Sequence, residues 1–129
     1  MKIESLLTIV NQPATYVFEK LSQPENFQEL MPENLAHFLA EKEGFNFALQ
    51  GFPQIHLQKK MQTPHSLLVY GSAPEKLPFE LRIKIEQITE NQCQIKYELE
   101  ATLNPMLALM AKAPITKLLQ TLSEKSATL

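Results

Sequence analysis

The residue types that most often carry chemistry are few in this chain and lie far apart. Its three histidines, His37, His56 and His65, have no spacing that would put two of them on one helical face or across one hairpin. A zinc site needs three or four ligands that converge on the metal. The pattern therefore favours surface histidines, and we predict neither a metal site nor a cofactor.

Cys93 is the single cysteine, and it lies beside a predicted hairpin turn with no histidine near it in the sequence. A reactive thiol needs surroundings that lower its pKa, so partial burial as a small apolar residue is the simpler expectation. A chain with one cysteine forms no intrachain disulfide, which is typical of a reducing compartment. We therefore predict a cytoplasmic protein. We assign no catalytic residue, since neither a Gly-x-Ser-x-Gly motif nor a glycine-rich phosphate loop is present.

Lys59 and Tyr97 are the polar residues whose strand positions could turn them towards an apolar cavity. Lys59 follows Ile55 and Leu57 at the same parity, and Tyr97 is in the apolar phase of its own strand. A buried lysine would have a depressed pKa and could act as a base or hold an acidic head group. We favour the alternative that the strand ends or bulges here, so that the ammonium reaches water. For the Tyr97 hydroxyl we favour a backbone or water partner over a ligand.

Length and charge limit what the whole chain can be. Its 129 residues suit one domain, residues 1–129. The 12 basic and 14 acidic residues leave little material for the basic face of a nucleic-acid binder, so we predict no nucleic-acid partner. The charge-free apolar stretch 101–111 is too short to span a bilayer, which needs about 20 residues, so we predict no integral membrane segment.

The apolar periodicity predicts a strand, two short helices, six strands and a long helix, which is an α+β order. Ile3, Ser5, Leu7 and Ile9 would share the buried face of the first strand. Prolines open the two short helices. The last helix should start at Asn104, a good capping residue, and run from Pro105 to about Lys125. Pro114 lies inside it and should kink it or remove a hydrogen bond.

The clearest strands cover residues 79–86 and 94–101, where apolar and charged residues alternate strictly. Charge pairing predicts a register with Ile85 opposite Tyr97, because it sets opposite charges side by side. A slide by two residues would put Lys84 opposite Lys96, which is unfavourable. The chosen register implies a three-residue loop, 90–92.

The segment 11–21, followed by Phe27, Leu30, Met31 and Pro32, and the segment 103–106 before the last helix resemble the START-like, or Bet v 1-like, superfamily (SRPBCC). The likeness is greatest to its bacterial polyketide cyclase/dehydrase and lipid-transport branch. It implies a helix-grip fold, in which a curved seven-stranded antiparallel sheet wraps around the C-terminal helix. Members of this superfamily commonly hold a hydrophobic small molecule between sheet and helix; some are cyclases, some carry lipids or quinones, and some bind other proteins.

The leading hypothesis is non-enzymatic binding of a hydrophobic or amphipathic small molecule, such as a lipid, a quinone or a polyketide-like compound. The expected ligand-binding residues are the inward side chains of sheet and helix: Leu7, Ile9, Phe47, Ile55, Leu57, Lys59, Val69, Phe79, Leu81, Ile83, Tyr97, Leu99, Leu107, Met110 and Leu118. A second hypothesis is a cyclase- or dehydrase-like enzyme with Lys59 and Tyr97 as an acid–base pair. A third is an interaction module, with a homodimer as one version, that uses a patch of Leu6, Val10, Leu68 and Tyr70.

Overall fold

A computed structural model describes residues 1–33, 35–73 and 75–129. The elements in chain order are β1 (Lys2–Glu4), β2 (Thr8–Val10), α1 (Ala14–Leu21), a 3-10 helix (Pro24–Leu30), β3 (His37–Ala40), β4 (Gly44–Ala48), β5 (Ile55–Thr63), β6 (Leu67–Gly71), β7 (Phe79–Thr89), β8 (Gln92–Ala101) and α2 (Pro105–Ser126).

The strands form one curved antiparallel sheet in the order β1-β8-β7-β6-β5-β4-β3, and β2 also pairs with β8. α2 packs against β8, β1, β2 and the 3-10 helix, so the long helix lies on the concave face of the sheet. This is the predicted α+β helix-grip architecture. The sheet has eight strands instead of seven because the first predicted strand is broken in two.

The break in the first strand reverses which of its side chains point inward. Ser5 ends β1: its N–H donates to the carbonyl of Tyr97 at 2.8 Å, and its hydroxyl oxygen accepts the Tyr97 N–H at 2.9 Å. Beyond this point Val10 is fully buried, whereas Leu7 and Ile9 are 59% and 48% exposed. The prediction that Leu7 and Ile9 face the interior is therefore wrong, because strict alternation does not continue through a strand break.

The register between β7 and β8 is the one that charge pairing disfavoured. Ile83 lies opposite Tyr97, Ile85 opposite Ile95, and Lys84 opposite Lys96. A two-residue turn, 90–91, joins the strands, and the register shifts between Gln87 and Thr89. The predicted register is wrong because it considered two strands alone.

β1 supplies the charges that make this register favourable. The carboxylate of Glu98, buried on the outer face, accepts a hydrogen bond from Lys84 at 2.7 Å and lies 3.6 Å from the Lys2 ammonium. The Lys96 ammonium lies 3.6 Å from Glu4 instead. Each of the two opposed lysines thus has its own acidic partner, so their mutual repulsion is offset.

The inner face of β6 is set by its pairing with β7. Leu68 and Tyr70 lie opposite the inward residues Ile83 and Leu81, and both are fully buried. Val69 lies opposite Arg82 and so belongs to the outer face. The predicted inward position of Val69 is wrong. The predicted surface patch is also wrong, since its members Val10, Leu68 and Tyr70 are buried and only Leu6 is exposed.

α2 begins and ends close to its predicted limits. The side chain of Asn104 caps it by accepting the Leu107 N–H at 2.9 Å. The helix is continuous through Pro114, which has no N–H to donate to the carbonyl of Met110. Its buried residues lie mainly beyond the first two turns: Ala111, Ile115, Leu118, Leu119, Leu122, Ser123 and Ser126.

Candidate binding site at the open end of the sheet

Three connections of the sheet meet at one end, which we call the open end. They are the link between β4 and β5, the link between β6 and β7, and the segment that leads from β8 into α2. Antiparallel neighbours place these connections side by side. Phe52 from the first link meets Phe79 at the start of β7 edge to face, with ring centroids 6.0 Å apart. α2 begins at the open end, directly after β8.

Most of the predicted ligand-binding residues form a packed core behind this end. The Phe45 ring stacks on Phe27 and Phe47, with centroids 4.6 and 5.9 Å apart, and Tyr70 meets it edge to face. The predicted residues that belong to this buried core are Phe47, Ile55, Leu57, Phe79, Leu81, Ile83, Tyr97, Leu99 and Leu118. The side chains of the inner face therefore pack against each other and against α2.

Lys59 and Tyr70 both donate hydrogen bonds to backbone carbonyls at the C-terminal end of α1. The Lys59 ammonium donates to the carbonyl of Ser22 at 2.8 Å, and the Tyr70 hydroxyl donates to that of Leu21 at 2.7 Å. These carbonyls have no partner within the helix, so the two strand residues satisfy them. β5 does bulge after Lys59, as expected. The ammonium, however, contacts the Ser22 carbonyl and lies 3.9 Å from the Glu43 carboxylate, so its main partners are protein groups and not water.

The Tyr97 hydroxyl has a side-chain partner that the sequence did not suggest. It lies 2.5 Å from the hydroxyl of Ser126, which in turn donates to the carbonyl of Leu122 at 2.6 Å. Since the serine hydrogen is used in that bond, the tyrosine donates. Burial raises the pKa of Tyr97 well above its ordinary value. Lys59 and Tyr97 thus have separate structural partners and do not form the acid–base pair of the enzyme hypothesis.

A small cavity opens beside the proline of α2. It has a volume of about 100 Å³ and is lined by Pro32, Leu49, Gln50, Pro114 and Lys117. Leu103 and Leu107, at the entry to α2 and in its first turn, are only partly buried against the core. Here α2 is in contact with the interior at the turn that lacks a backbone hydrogen bond.

Two wider grooves lie on the surface. One, of about 540 Å³, runs along the solvent side of α2 and is lined by Leu109, Lys112, Ala113, Thr116, Lys117 and Gln120. The other, of about 430 Å³, is lined by Lys60, Gly71, Ser72, Pro78, Phe79, Glu80, Glu100 and Thr102. Lys117 lines both the small cavity and the α2 groove, so it stands at the boundary between them.

The predicted site residues are thus not gathered in one place. Most belong to the packed core, including Phe79 at its open end. Leu107 and Met110 lie in the first turns of α2, and Leu7, Ile9 and Val69 do not face the interior. Sequence reasoning missed Leu49, Gln50 and Lys117 as lining residues. The positive φ of Gly51, 78°, shows that a tight turn brings Gln50 to this edge, and the Gly-Phe-Pro run was its only signal in the sequence.

The other candidates for chemistry have ordinary surroundings. His56 shares a hydrogen bond with the Asn46 side chain at 2.9 Å, and burial raises the pKa of the Cys93 thiol. Among the residues that the structure describes, no group of three His, Cys, Asp or Glu side chains could hold a metal ion. Nor does any helix in the described parts of the chain combine the length and apolar character needed to cross a membrane.

Comparison with known proteins identifies the fold. No protein-family profile matches the sequence, and no curated protein matches it. Solved structures do match: a START superfamily protein from Mycobacterium smegmatis has a TM-score of 0.61 at 14% identity, with 96% of this chain and 97% of that one covered. Truncated norcoclaurine synthase from Thalictrum flavum has a TM-score of 0.68 at 15% identity, with 98% and 91% covered.

A further similar structure is the di-domain aromatase/cyclase BexL from the BE-7585A biosynthetic pathway. Its TM-score is 0.64 at 14% identity, and the match covers 97% of this chain but 46% of BexL. All three likenesses extend over the sheet and the C-terminal helix together. The chain has the START-like, or Bet v 1-like, helix-grip fold.

Proposed function

We propose that this protein binds a hydrophobic or amphipathic small molecule, of the lipid, quinone or polyketide-like kind, between α2 and the open end of the sheet. The observation that carries the proposal is the cavity beside Pro114, which lies where α2 lacks a backbone hydrogen bond. The proposed compartment is the cytoplasm, in keeping with a single buried cysteine.

The first turns of α2 are the part that can move to admit a ligand. They bury little surface, since Met106 and Leu109 are 73% and 79% exposed and Leu107 is only partly buried. Pro114 separates these turns from the firmly packed remainder of the helix. A hinge there costs no further hydrogen bond, because the one to Met110 is already missing.

A ligand that passes from this cavity into the interior would meet mainly apolar side chains. The proposed contacts are Phe79, Leu81, Leu99, Leu107, Met110 and Leu118, of which Phe79, Leu81, Leu99 and Leu118 already face the interior. Burial of apolar ligand surface contributes about 25 cal/mol per Å². The flexible thioether of Met110 suits a contact that must adapt to what is bound.

The similar structures support a small-molecule role for the fold. A norcoclaurine synthase structure holds dopamine and hydroxybenzaldehyde, and it matches this chain with a TM-score of 0.67 at 15% identity. That activity belongs to the synthase. For this chain we propose binding, because the Lys59 and Tyr97 polar groups are engaged with Ser22 and Ser126.

Titration with a fluorescent apolar probe, together with native mass spectrometry of gently purified protein, tests the proposal. Leu107→Trp would fill the opening with a larger side chain and should abolish probe binding. Met106→Trp, one residue away on the exposed side, is the matched control and should leave probe binding unchanged. Equal probe binding by both variants, or none by the unaltered protein, would refute the site.

A second candidate is self-association through β2 and the segment that precedes it at the edge of the sheet. Leu6, Leu7 and Ile9 are exposed there, and segment 5–18 contains no charged residue. Natural edge strands usually carry charges that discourage pairing with another chain. Analytical ultracentrifugation of Ile9→Lys against the unaltered protein tests this candidate: a dimer should dissociate in the variant, and a monomer in both would dismiss it.

A further inference from the structure

The solvent side of α2 carries a stripe of residues, apolar in its first half and polar in its second, that the interior does not use. Met106, Leu109, Ala113, Thr116 and Gln120 follow one another at spacings of three and four residues, which places them on one helical face. Met106 and Leu109 are the most exposed large apolar residues of the helix, and Met110 beside them is 48% exposed. We call this face the outer stripe.

Two lysines flank the outer stripe, and α2 contains no acidic residue before Glu124. Lys112 and Lys117 line the same groove as Leu109. From residue 101 to residue 123 the chain has no aspartate or glutamate, although the whole protein has a net charge of −2. This face is therefore locally positive on a protein that is negative overall.

The apolar and the cationic residues of the outer stripe are separated along the helix. The apolar side chains come first, at 106, 109 and 110, and Lys112 and Lys117 follow Met110 by about 3 and 10 Å at 1.5 Å per residue. Interfacial helices bury their apolar side chains about 5–10 Å into the boundary between head groups and acyl chains. Lysine stems can then extend along the helix, so that their ammonium groups reach the phosphates.

We propose that the outer stripe docks on the surface of an anionic lipid bilayer, with Met106, Leu109 and Met110 inserted and Lys112 and Lys117 on the phosphates. We choose an anionic bilayer over an uncharged apolar partner because only an anionic surface would interact favourably with the two lysines that flank the stripe. Docking places the open end and its cavity at the bilayer. It does not require a ligand in the cavity.

Co-sedimentation of the full chain with extruded vesicles tests this proposal. The protein should bind vesicles of phosphatidylcholine mixed with anionic phosphatidylglycerol and bind pure phosphatidylcholine vesicles much more weakly. Added salt should weaken the binding. Lys112→Gln and Lys117→Gln should each lower the partition coefficient about fivefold. Lys42→Gln, an exposed lysine between β3 and β4, is the matched control and should have no effect.

The apolar part of the docking face has its own pair of variants. Leu109→Ser should lower the partition coefficient about tenfold. Met61→Ser, at an exposed apolar position on β5, should leave it unchanged. The proposal is overturned if the unaltered protein does not bind anionic vesicles, or if control and stripe variants behave alike.

Two further measurements separate this proposal from the others. If Leu109→Ser changes the sedimentation coefficient without vesicles, the stripe joins copies of the chain, and the lipid assignment is wrong. Leu107→Trp should retain vesicle binding while it loses the fluorescent probe. Failure of the ligand proposal and failure of the docking proposal therefore give different results.

Discussion

Single polar residues in this protein are placed by partners that lie far away in the sequence. Glu98 is the clearest case, because β1 and β7 bring three cations to a carboxylate that is only 3% exposed. The hydrogen bond from Lys84 is the main reason why the pKa of Glu98 is lowered from its ordinary value. The network stabilises the outer face of the sheet and the register of β7 and β8.

Replacement of Glu98 should remove the stabilisation that this network provides, and the loss of stability should depend on pH. A carboxyl with a lowered folded-state pKa stabilises the protein above its unfolded pKa of about 4.3, and this contribution disappears as the pH falls through the folded pKa. Glu98→Gln should therefore lower the free energy of unfolding by about 2 kcal/mol at pH 7 and by much less at pH 3. Urea denaturation at both values measures it.

Glu19→Gln, at an exposed position of α1, is the control for that measurement. It should change the free energy of unfolding at pH 7 and at pH 3 by no more than a few tenths of a kcal/mol. A Glu98→Gln deficit that is as large at pH 3 as at pH 7 would show that the side chain acts through packing and not through charge.

Removal of the two hydroxyl groups of the Tyr97–Ser126 contact should destabilise the protein to different extents. Ser126→Ala leaves the buried tyrosine hydroxyl without its acceptor and should cost about 1–3 kcal/mol. Tyr97→Phe should cost less, because Ser126 keeps its hydrogen bond to Leu122. Chemical denaturation of both variants compares them. The reverse order of destabilisation would mean that the tyrosine hydroxyl has another partner.

At the scale of elements, α2 consists of two parts that pack differently against the sheet. Beyond Pro114 its side chains complete the core, with Leu118, Leu119 and Leu122 buried against the sheet. Before Pro114 it exposes apolar side chains on one side and only partly covers the interior on the other. The proline separates a structural segment from one that we propose to be functional.

Pro114→Ala should restore the hydrogen bond to Met110 and join the two parts. We expect the free energy of unfolding to rise by about 1–3 kcal/mol, because proline is about 3 kcal/mol less favourable than alanine inside a helix. We also expect the association rate of the fluorescent probe to fall several-fold in stopped-flow measurements, since the hinge becomes stiffer.

Thr121→Ala, on the same helix but beyond the proline, serves as the comparison and should not alter the association rate. A stabilised Pro114→Ala protein that binds the probe as fast as the original would argue against an opening at this residue.

At the scale of the whole molecule, one core joins the sheet to all its helices. Tyr70 connects the sheet to α1 through Leu21, and Tyr97 connects it to α2 through Ser126. The N-terminal ammonium also donates to the carbonyl of Ala101 at 2.9 Å, which ties the first strand to the end of the last. We propose that residues 1–129 form a single folding unit.

Equilibrium unfolding should therefore occur in one cooperative transition. Far-UV circular dichroism, which reports the helices and the sheet, should coincide with tyrosine fluorescence, to which the buried Tyr70 and Tyr97 contribute. Two separated transitions, with helical signal lost before the tyrosine signal, would mean that α2 detaches from a sheet that persists without it.

Local patterns in the sequence were sufficient for the element order and the fold class. Strict alternation marked β7 and β8, and Asn104-Pro105 marked the start of α2, because these features depend only on neighbours in the chain. The inward positions of Leu81, Ile83 and Leu99 follow from the same alternation. The prolines correctly separated the short helices from the strands.

Tertiary contacts alone decided the register, the inward face of β2 and β6, and the state of the interior. The Lys84–Lys96 pair is acceptable only because β1 supplies Glu4 beside Lys96, and no pairwise comparison of β7 with β8 contains that strand. Val69 and Ile9 are turned outward by a pairing and by a strand break that periodicity cannot show. Whether an apolar concave face is hollow or packed depends on the volumes of side chains from every element at once, and here the stacked rings of Phe27, Phe45 and Phe47 fill the part beside β4.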